Sequence, residues 1–259
     1  MPHNSAPAGA PAFLRVHRPS TVDLIATELR NAIYSGGLPV GSPLREVEIS
    51  RQLGVSRSPL REAAQRLVQE GLLTAIPGQG LRVATVSEDR LPDLFEARIA
   101  VETHAARILI RHNDAGALAK VTAAFDHLTE AVKGTDARTI GDADLDFHFA
   151  LVEAAGNTRL TRYMSTLVVE TRLASFSSKQ GYVVRRDVTP SHQAIMAALK
   201  SGNAEAAAAA IAEHLTEATA RMTGELAERG IEVETVAGAP EPGAVYELGP
   251  IDHTPNPAD

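Results

Sequence analysis

The chain has 259 residues, 44% hydrophobic and 22% charged, with a formal net charge of −7; this is an ordinary globular composition with enough apolar side chain for two modest cores. It has no cysteine, which excludes disulfides, thiolate metal sites and cysteine nucleophiles and leaves imidazole, carboxylate or water as the only ligands for a metal. No segment offers the roughly 18 to 20 apolar residues of a membrane span, and the opening MPHNSAPAGAPA lacks a signal-peptide core, so a cytoplasmic protein with no membrane partner is expected. The charge is uneven: up to Ser87 nine arginines face six carboxylates, a balance of +3 that leaves −10 for the remainder. A basic head on an acidic body is what a phosphate-contacting module joined to a non-contacting one would show.

Residues 1–15, rich in Pro, Ala and Gly, and residues 230–259, Pro/Gly-rich without helical periodicity, are expected to be disordered tails. Ser20 or Thr21 caps a helix in which Val22, Ile25, Leu29 and Ile33 recur at helical spacing, ending at Gly36-Gly37. A second helix covers about 45–53 and ends at Gly54. A third starts near Ser56 or Ser58, carries Pro59 in its first turn and runs through Leu60, Ala64, Leu67 and Val68 to Gly71. The short Gly54-Val55-Ser56 break between the last two has helix-turn-helix spacing. Residues 72–76, the turn Pro77-Gly78-Gln79-Gly80 and residues 81–86 read as a β-hairpin wing. Residues 16–87 are therefore expected to form a winged helix-turn-helix. From 88 to 229 the pattern is helical throughout, in six segments near 88–112, 114–133, 136–155, 158–178, 182–201 and 203–229; their short connections imply an antiparallel bundle. The predicted fold class is mainly α: a winged helix-turn-helix followed by an all-α six-helix bundle.

In a helix-turn-helix, the start of the second helix meets the base edges of the major groove. Here that helix begins Ser56-Arg57-Ser58-Pro59-Leu60-Arg61. The hydroxyls and helix-start amides suit phosphate, while Arg57 and Arg61, one turn apart, suit guanine or phosphate. In isolation these would read as solvated arginines on a capped surface helix; the glycine turn before them and the hairpin after them favour DNA. Gly78 and Gly80 let the wing backbone approach the sugar-phosphate surface, with Gln79 or Arg82 reaching a groove or phosphate. Arg45, at the start of the preceding helix, is counted with the DNA-facing residues. The run LREVEISRQLGVSRSPLREAAQRLVQEGLLTAIPGQGLRV resembles the winged helix of the GntR family of regulators. That resemblance implies operator contacts by Ser56, Arg57, Ser58, Arg61 and the wing-tip Gln79 and Gly80, a palindromic double-stranded operator, and a homodimer. Ser58 stands where many members carry Thr.

In the second region Asp144 and His148, four residues apart in DADLDFHFALVEAAGN, share a helix face. His148 aligns with Leu145 and Val152, His192 with Ile195, Met196 and Leu199, and His214 with Ile211, Leu215 and Ala218. Three imidazoles on the apolar faces of three helices are costly to bury unless something satisfies them, and a divalent cation would. His104, near Val101 and Ile108, is a rival for the same role. Asn157 reads as a helix cap.

DLDFHFALVEAAGN, SHQAIMAALKSGN and AEHL resemble the motifs of the FadR-type (FCD) domain that many GntR regulators carry, in its shorter six-helix version. Carried over by position, the resemblance makes Asp144, His148, His192 and His214 the metal ligands, leaves His104 without a counterpart, and places Arg98 of LFEARIAVE at the ligand cavity. Three imidazoles and a carboxylate suit zinc first, with nickel or manganese as alternatives, and disfavour oxygen-only calcium or magnesium chemistry. The resulting expectation is a metal-containing repressor that responds to a small carboxylate effector and is not an enzyme. Two rivals are a metal-dependent hydrolase, for which a base is missing because Asp142 and Asp146 lie off the Asp144/His148 face, and a regulator with a purely structural metal site.

Overall fold

The computed structural model describes residues 19–177 and 189–224. The two expected tails and the first residues of the helix predicted at 182–201 lie outside the described residues.

Helix α1 (Thr21–Tyr34) begins where Ser20 closes a capping box: its hydroxyl accepts the Asp23 amide at 3.2 Å, and the Asp23 carboxylate accepts the Ser20 amide at 2.7 Å. Its stripe of Ile25, Leu29 and Ile33 is buried. Helices α2 (Glu46–Gln52) and α3 (Arg57–Gln69) are separated by a tight turn in which Gly54 adopts φ +66°. That left-handed residue lets the Val55 amide reach the Ser50 carbonyl at 2.9 Å and the Gly54 amide reach Arg51 at 3.3 Å, the Schellman arrangement that stops α2. Helix α3 packs Leu60, Ala63, Ala64 and Leu67 inward against α1.

Strands β1 (Leu73–Ile76) and β2 (Gly80–Val83) pair antiparallel, with Leu73 opposite Val83 and Ile76 opposite Gly80. The hairpin closes through Gln79 N–H donating to the Ile76 carbonyl at 3.0 Å, with Pro77 and a positive-φ Gly78 at the two central positions, a type II turn. The strands are shorter than the predicted wing at its C-terminal end. Val83 exchanges hydrogen bonds with Gly41 and Ser42, and the Ala84 amide still reaches the Leu72 carbonyl at 3.0 Å; the chain then leads into the second region, where Val86 packs with Leu91 and Leu94.

Six further helices follow among the described residues: α4 (Leu91–His112), α5 (Ala115–Ala131), α6 (Ala137–Ala154), α7 (Thr158–Ser177), α8 (Thr189–Ser201) and α9 (Ala204–Met222). The first starts three residues later than its periodicity suggests. A 3₁₀ turn at Glu88–Arg90 precedes it, and Pro92, which has no amide to donate, sits in its first turn. Asp114, Asp136 and Asn203 cap α5, α6 and α9. Chain neighbours α5 and α6, α6 and α7, and α8 and α9 pack together, while α4 lies along α9. Between them lies a second core that includes Phe95, Leu109, Phe147, Leu151, Ile195 and Leu215.

Helix α7 belongs to both regions. Leu173, 1% exposed, sits in the core of the winged helix with Val169 beside it, and Ala174 packs on Leu91 and Leu94. Between these, the Arg172 guanidinium lies 4.3 Å from the centre of the Tyr34 ring on α1 and pairs with Asp142 on α6.

Candidate functional site: a DNA-facing helix and a buried histidine cluster

The apolar face of α3 dictates its other face. With Leu60, Ala64 and Leu67 turned inward, Arg57, Ser58 and Arg61 are exposed. Ser56 is the N-cap, yet its side chain makes no capping hydrogen bond, so its hydroxyl and the first amides of α3 are presented together, as an anion-binding helix start requires. Arg61 lies against Glu46 of α2, Nε to Oε2 2.7 Å, while 65% exposed, and Arg45 lies 3.7 Å from Glu48 while 74% exposed. Both are surface pairs of the kind that exchange readily for a phosphate partner. In the wing, Gln79 and Gly80 are exposed. Arg82 is not at the tip: it is half-buried and its Nε donates to the Gly41 carbonyl at 2.8 Å, which ties the hairpin to the loop before α2.

The second constellation is built by α4, α6, α8 and α9. Asp144 and His148 come from α6, His192 from α8 and His214 from α9, and one ligand atom from each lies within 4.8 Å of all the others. His148 Nε2 is 3.1 Å from His214 Nε2, and His192 Nε2 is 3.1 Å from an Asp144 carboxylate oxygen. The three imidazoles are buried, at 0%, 0% and 4% exposure, whereas the Asp144 side chain keeps 24%. Phe147 meets the His148 and His192 rings edge-on, at centroid distances of 5.4 and 4.9 Å, and closes the apolar side of the cluster. His104, the rival candidate, is exposed on α4 and has no part in the cluster. Asn157 is a cap, accepting the Arg159 and Leu160 amides at 3.1 and 3.2 Å. Asp142 pairs with Arg172 and Asp146 is exposed.

Two partners of the cluster are not legible in the sequence. Glu102 of α4, 0% exposed, accepts from His148 Nδ1 at 2.6 Å and from Arg98 Nε at 2.9 Å. Ser191 Oγ lies 3.0 Å from His214 Nδ1. Arg98 and Glu102 lie on the stripe of Phe95, Ala105, Ala106 and Leu109 that α4 buries, so the fold encloses a charged pair whose i, i+4 spacing alone describes a solvated one. Arg98 is 2% exposed and its Nη2 is buried without a hydrogen-bond partner among the described residues.

Electrostatics sort these groups. Burial would raise Glu102, but its contacts with His148 and Arg98 outweigh it and hold its carboxyl below the usual range. Burial likewise opposes ionisation of Asp144, and the His192 hydrogen bond with the surrounding imidazoles overcomes it, so Asp144 is a carboxylate. His214 goes the other way: burial, reinforced by the neighbouring His148 and His192, pushes it well below 6.5 and keeps it neutral.

The residues fit a metal. His148 faces Glu102 with Nδ1 and the His214 Nε2 with its own Nε2, and two imidazole nitrogens at that separation need a proton or a cation between them. Donors on opposite sides of a first-row cation, each about 2.1 Å from it, lie about 4 Å apart, which is the scale of this cluster. Neutral imidazole with one carboxylate is a transition-metal ligand set.

A winged helix-turn-helix joined to a helical region with a buried His/Asp cluster and an unsatisfied arginine defines a ligand-responsive DNA-binding regulator. Comparison with known proteins agrees. The model for "Bacterial regulatory proteins, gntR family" matches residues 21–83 and that for "FCD domain" matches residues 93–217. The "Probable D-xylose utilization operon transcriptional repressor" of Paenarthrobacter nicotinovorans is 34% identical over 197 residues, covering 74% of this chain and 85% of its own. The Nta operon transcriptional regulator of Aminobacter aminovorans is 30% identical over 177 residues, 68% of this chain and 81% of its own. A GntR regulator crystal structure from Rhodococcus sp. RHA1 superposes with a TM-score of 0.69 at 28% identity, over 78% of this chain and 97% of its own. The chain belongs to the GntR family of transcriptional regulators, in the group with an FCD domain, and is not an enzyme. No helix among the described residues is long and apolar enough to cross a membrane.

Proposed function

We propose that the protein is a cytoplasmic, homodimeric repressor that grips a palindromic operator through α3 and the wing, and that a small carboxylate bound in its FCD domain changes its operator affinity. In this reading Asp144, His148, His192 and His214 hold a divalent transition metal, zinc first, with nickel or manganese as alternatives. A metal held there supplies a positive coordination point for a carboxylate oxygen. Arg98 anchors the acid from the α4 side.

The observation that carries the reading is the juxtaposition of the four-ligand cluster with the buried, unsatisfied Nη2 of Arg98. A buried guanidinium edge without an acceptor is expensive, and a carboxylate is the acceptor it matches best. The partial exposure of Asp144 beside three sealed imidazoles leaves one side of the cluster accessible, which favours an open, ligand-accepting site over a closed structural one. One relative, an L-lactate dehydrogenase operon regulatory protein of Escherichia coli (strain K12), is 31% identical over 218 residues, and its name connects that protein with a hydroxy-acid operon.

The acid can act only by binding two arrangements of the dimer unequally. Helix α7 is the physical connection, because its Leu173 and Arg172 are embedded in the winged-helix side. The reading is tested by titrating operator DNA with the wild type and with Asp144→Asn and His192→Ala, each with and without saturating organic acids chosen by a thermal-shift screen. The variants are expected to bind operator yet ignore the acid. Variants that keep both the metal and the full acid response would refute it.

A further inference from the structure

We infer that Glu102 is the positioning residue of the sensor site: a single buried carboxylate that decides which nitrogen of His148 faces the cluster and which edge of Arg98 is left for a ligand. The inference rests on the metal-site reading above and adds to it a residue outside the ligand set. Glu102 has no exposed surface and sits between two donors on different helices, His148 Nδ1 on α6 at 2.6 Å from Oε2 and Arg98 Nε on its own α4 at 2.9 Å from Oε1. An N–H delivered to each oxygen, one of them from the Arg98 guanidinium, favours the carboxylate. Its two partners are fixed in consequence.

His148 carries its proton on Nδ1, which strips Nε2 and aims that lone pair at the point shared with His214, 3.1 Å away. Were the proton on Nε2 instead, it would occupy the coordinating nitrogen and would have to be displaced before that nitrogen could coordinate. Arg98, held at Nε, cannot swing its guanidinium end for end, so the buried Nη2 stays without a protein acceptor. A buried anion serving only stability is a poor investment of fold energy, since well-packed apolar residues often do as well. The two contacts of Glu102 instead set the geometry of both halves of the ligand site.

Glu102→Gln discriminates. Glutamine offers one acceptor oxygen and one amide that donates, so it cannot receive both N–H groups; an amide turned toward His148 stabilises the opposite tautomer. In the full-length protein, zinc affinity measured by competition with a chromophoric chelator is expected to fall about 10- to 100-fold in the variant, the usual effect of removing such a partner. ¹⁵N NMR of the metal-free protein should show His148 as the Nδ1–H tautomer in the wild type and shifted toward Nε2–H in Glu102→Gln. A variant with zinc affinity within about threefold of wild type and an unchanged His148 tautomer overturns the inference. If Glu102→Gln does not fold, the wild-type spectrum decides alone: a metal-free His148 protonated on Nε2 overturns it. Because the tautomer is read without metal, a wild type that binds no zinc would defeat the metal reading and still leave the Glu102 assignment decided.

Discussion

His214 shows how a single buried group ties the sensor to pH. Burial first, then its two imidazole neighbours, keep it neutral in the folded protein and place its pKa well below 6.5. The unfolded chain takes up a proton there near 6.5 that the folded protein refuses. Between the depressed folded value and 6.5 the unfolded state therefore binds more protons, and stability rises with pH across that window. Metal-free protein is expected to lose stability as pH falls below about 6.5, in urea melts compared at neutral and mildly acidic pH, and His214→Gln should flatten the dependence. A wild-type profile that is flat, or that rises toward acid, would contradict the assignment. The three histidines were legible because each sits on an apolar helix stripe where a polar side chain is conspicuous. Asp144 was legible as the residue sharing a face with His148, and the family resemblance, not periodicity, set His104 aside. Glu102 was not legible, because Arg and Glu four apart on a helix ordinarily describe a solvated pair, and only packing shows that this pair, 2% and 0% exposed, is buried against His148.

At the scale of elements, local chemistry accounts for most boundaries. Ser20 was one of two residues read as the cap of α1, and the reciprocal Ser20–Asp23 bonds show why that helix begins where it does. Ser20→Ala removes the hydroxyl acceptor and is expected to cost about 1 kcal/mol in thermal or urea unfolding; a change indistinguishable from zero would mean the capping box contributes nothing. Gly54 was legible for the same reason, since an abrupt stop between two short helices needs a left-handed residue. The failures have physical causes too. Helix α4 starts later than its helical pattern suggests because Glu88–Arg90 form a 3₁₀ turn, which local sequence does not distinguish from α-helix, and regular pairing of the wing ends at Leu73 and Val83, with a last bond from the Ala84 amide to the Leu72 carbonyl. Arg82, one of the two wing residues expected to reach a groove or phosphate, has its Nε on the Gly41 carbonyl of the loop before α2.

For the whole molecule, α7 makes the two cores interdependent. Leu173→Ala would open a cavity in the winged-helix core from the sensor side and is expected to cost about 2–5 kcal/mol, with calorimetry showing the winged helix melting ahead of the helical bundle. Unchanged, fully cooperative melting would show that α7 does not join them. The sequence revealed the division of labour, through a basic head and an acidic body, but not this connection, because a lone leucine on a helix gives no hint that its neighbour is another core. The account as a whole depends on the cluster of Asp144, His148, His192 and His214 holding a metal, and the most direct test is elemental analysis of the purified protein beside its His192→Ala variant. About one transition-metal ion per chain in the wild type and little in the variant is the predicted result; a metal-free wild type that also fails to take up zinc, or a variant as fully loaded as the wild type, would contradict it.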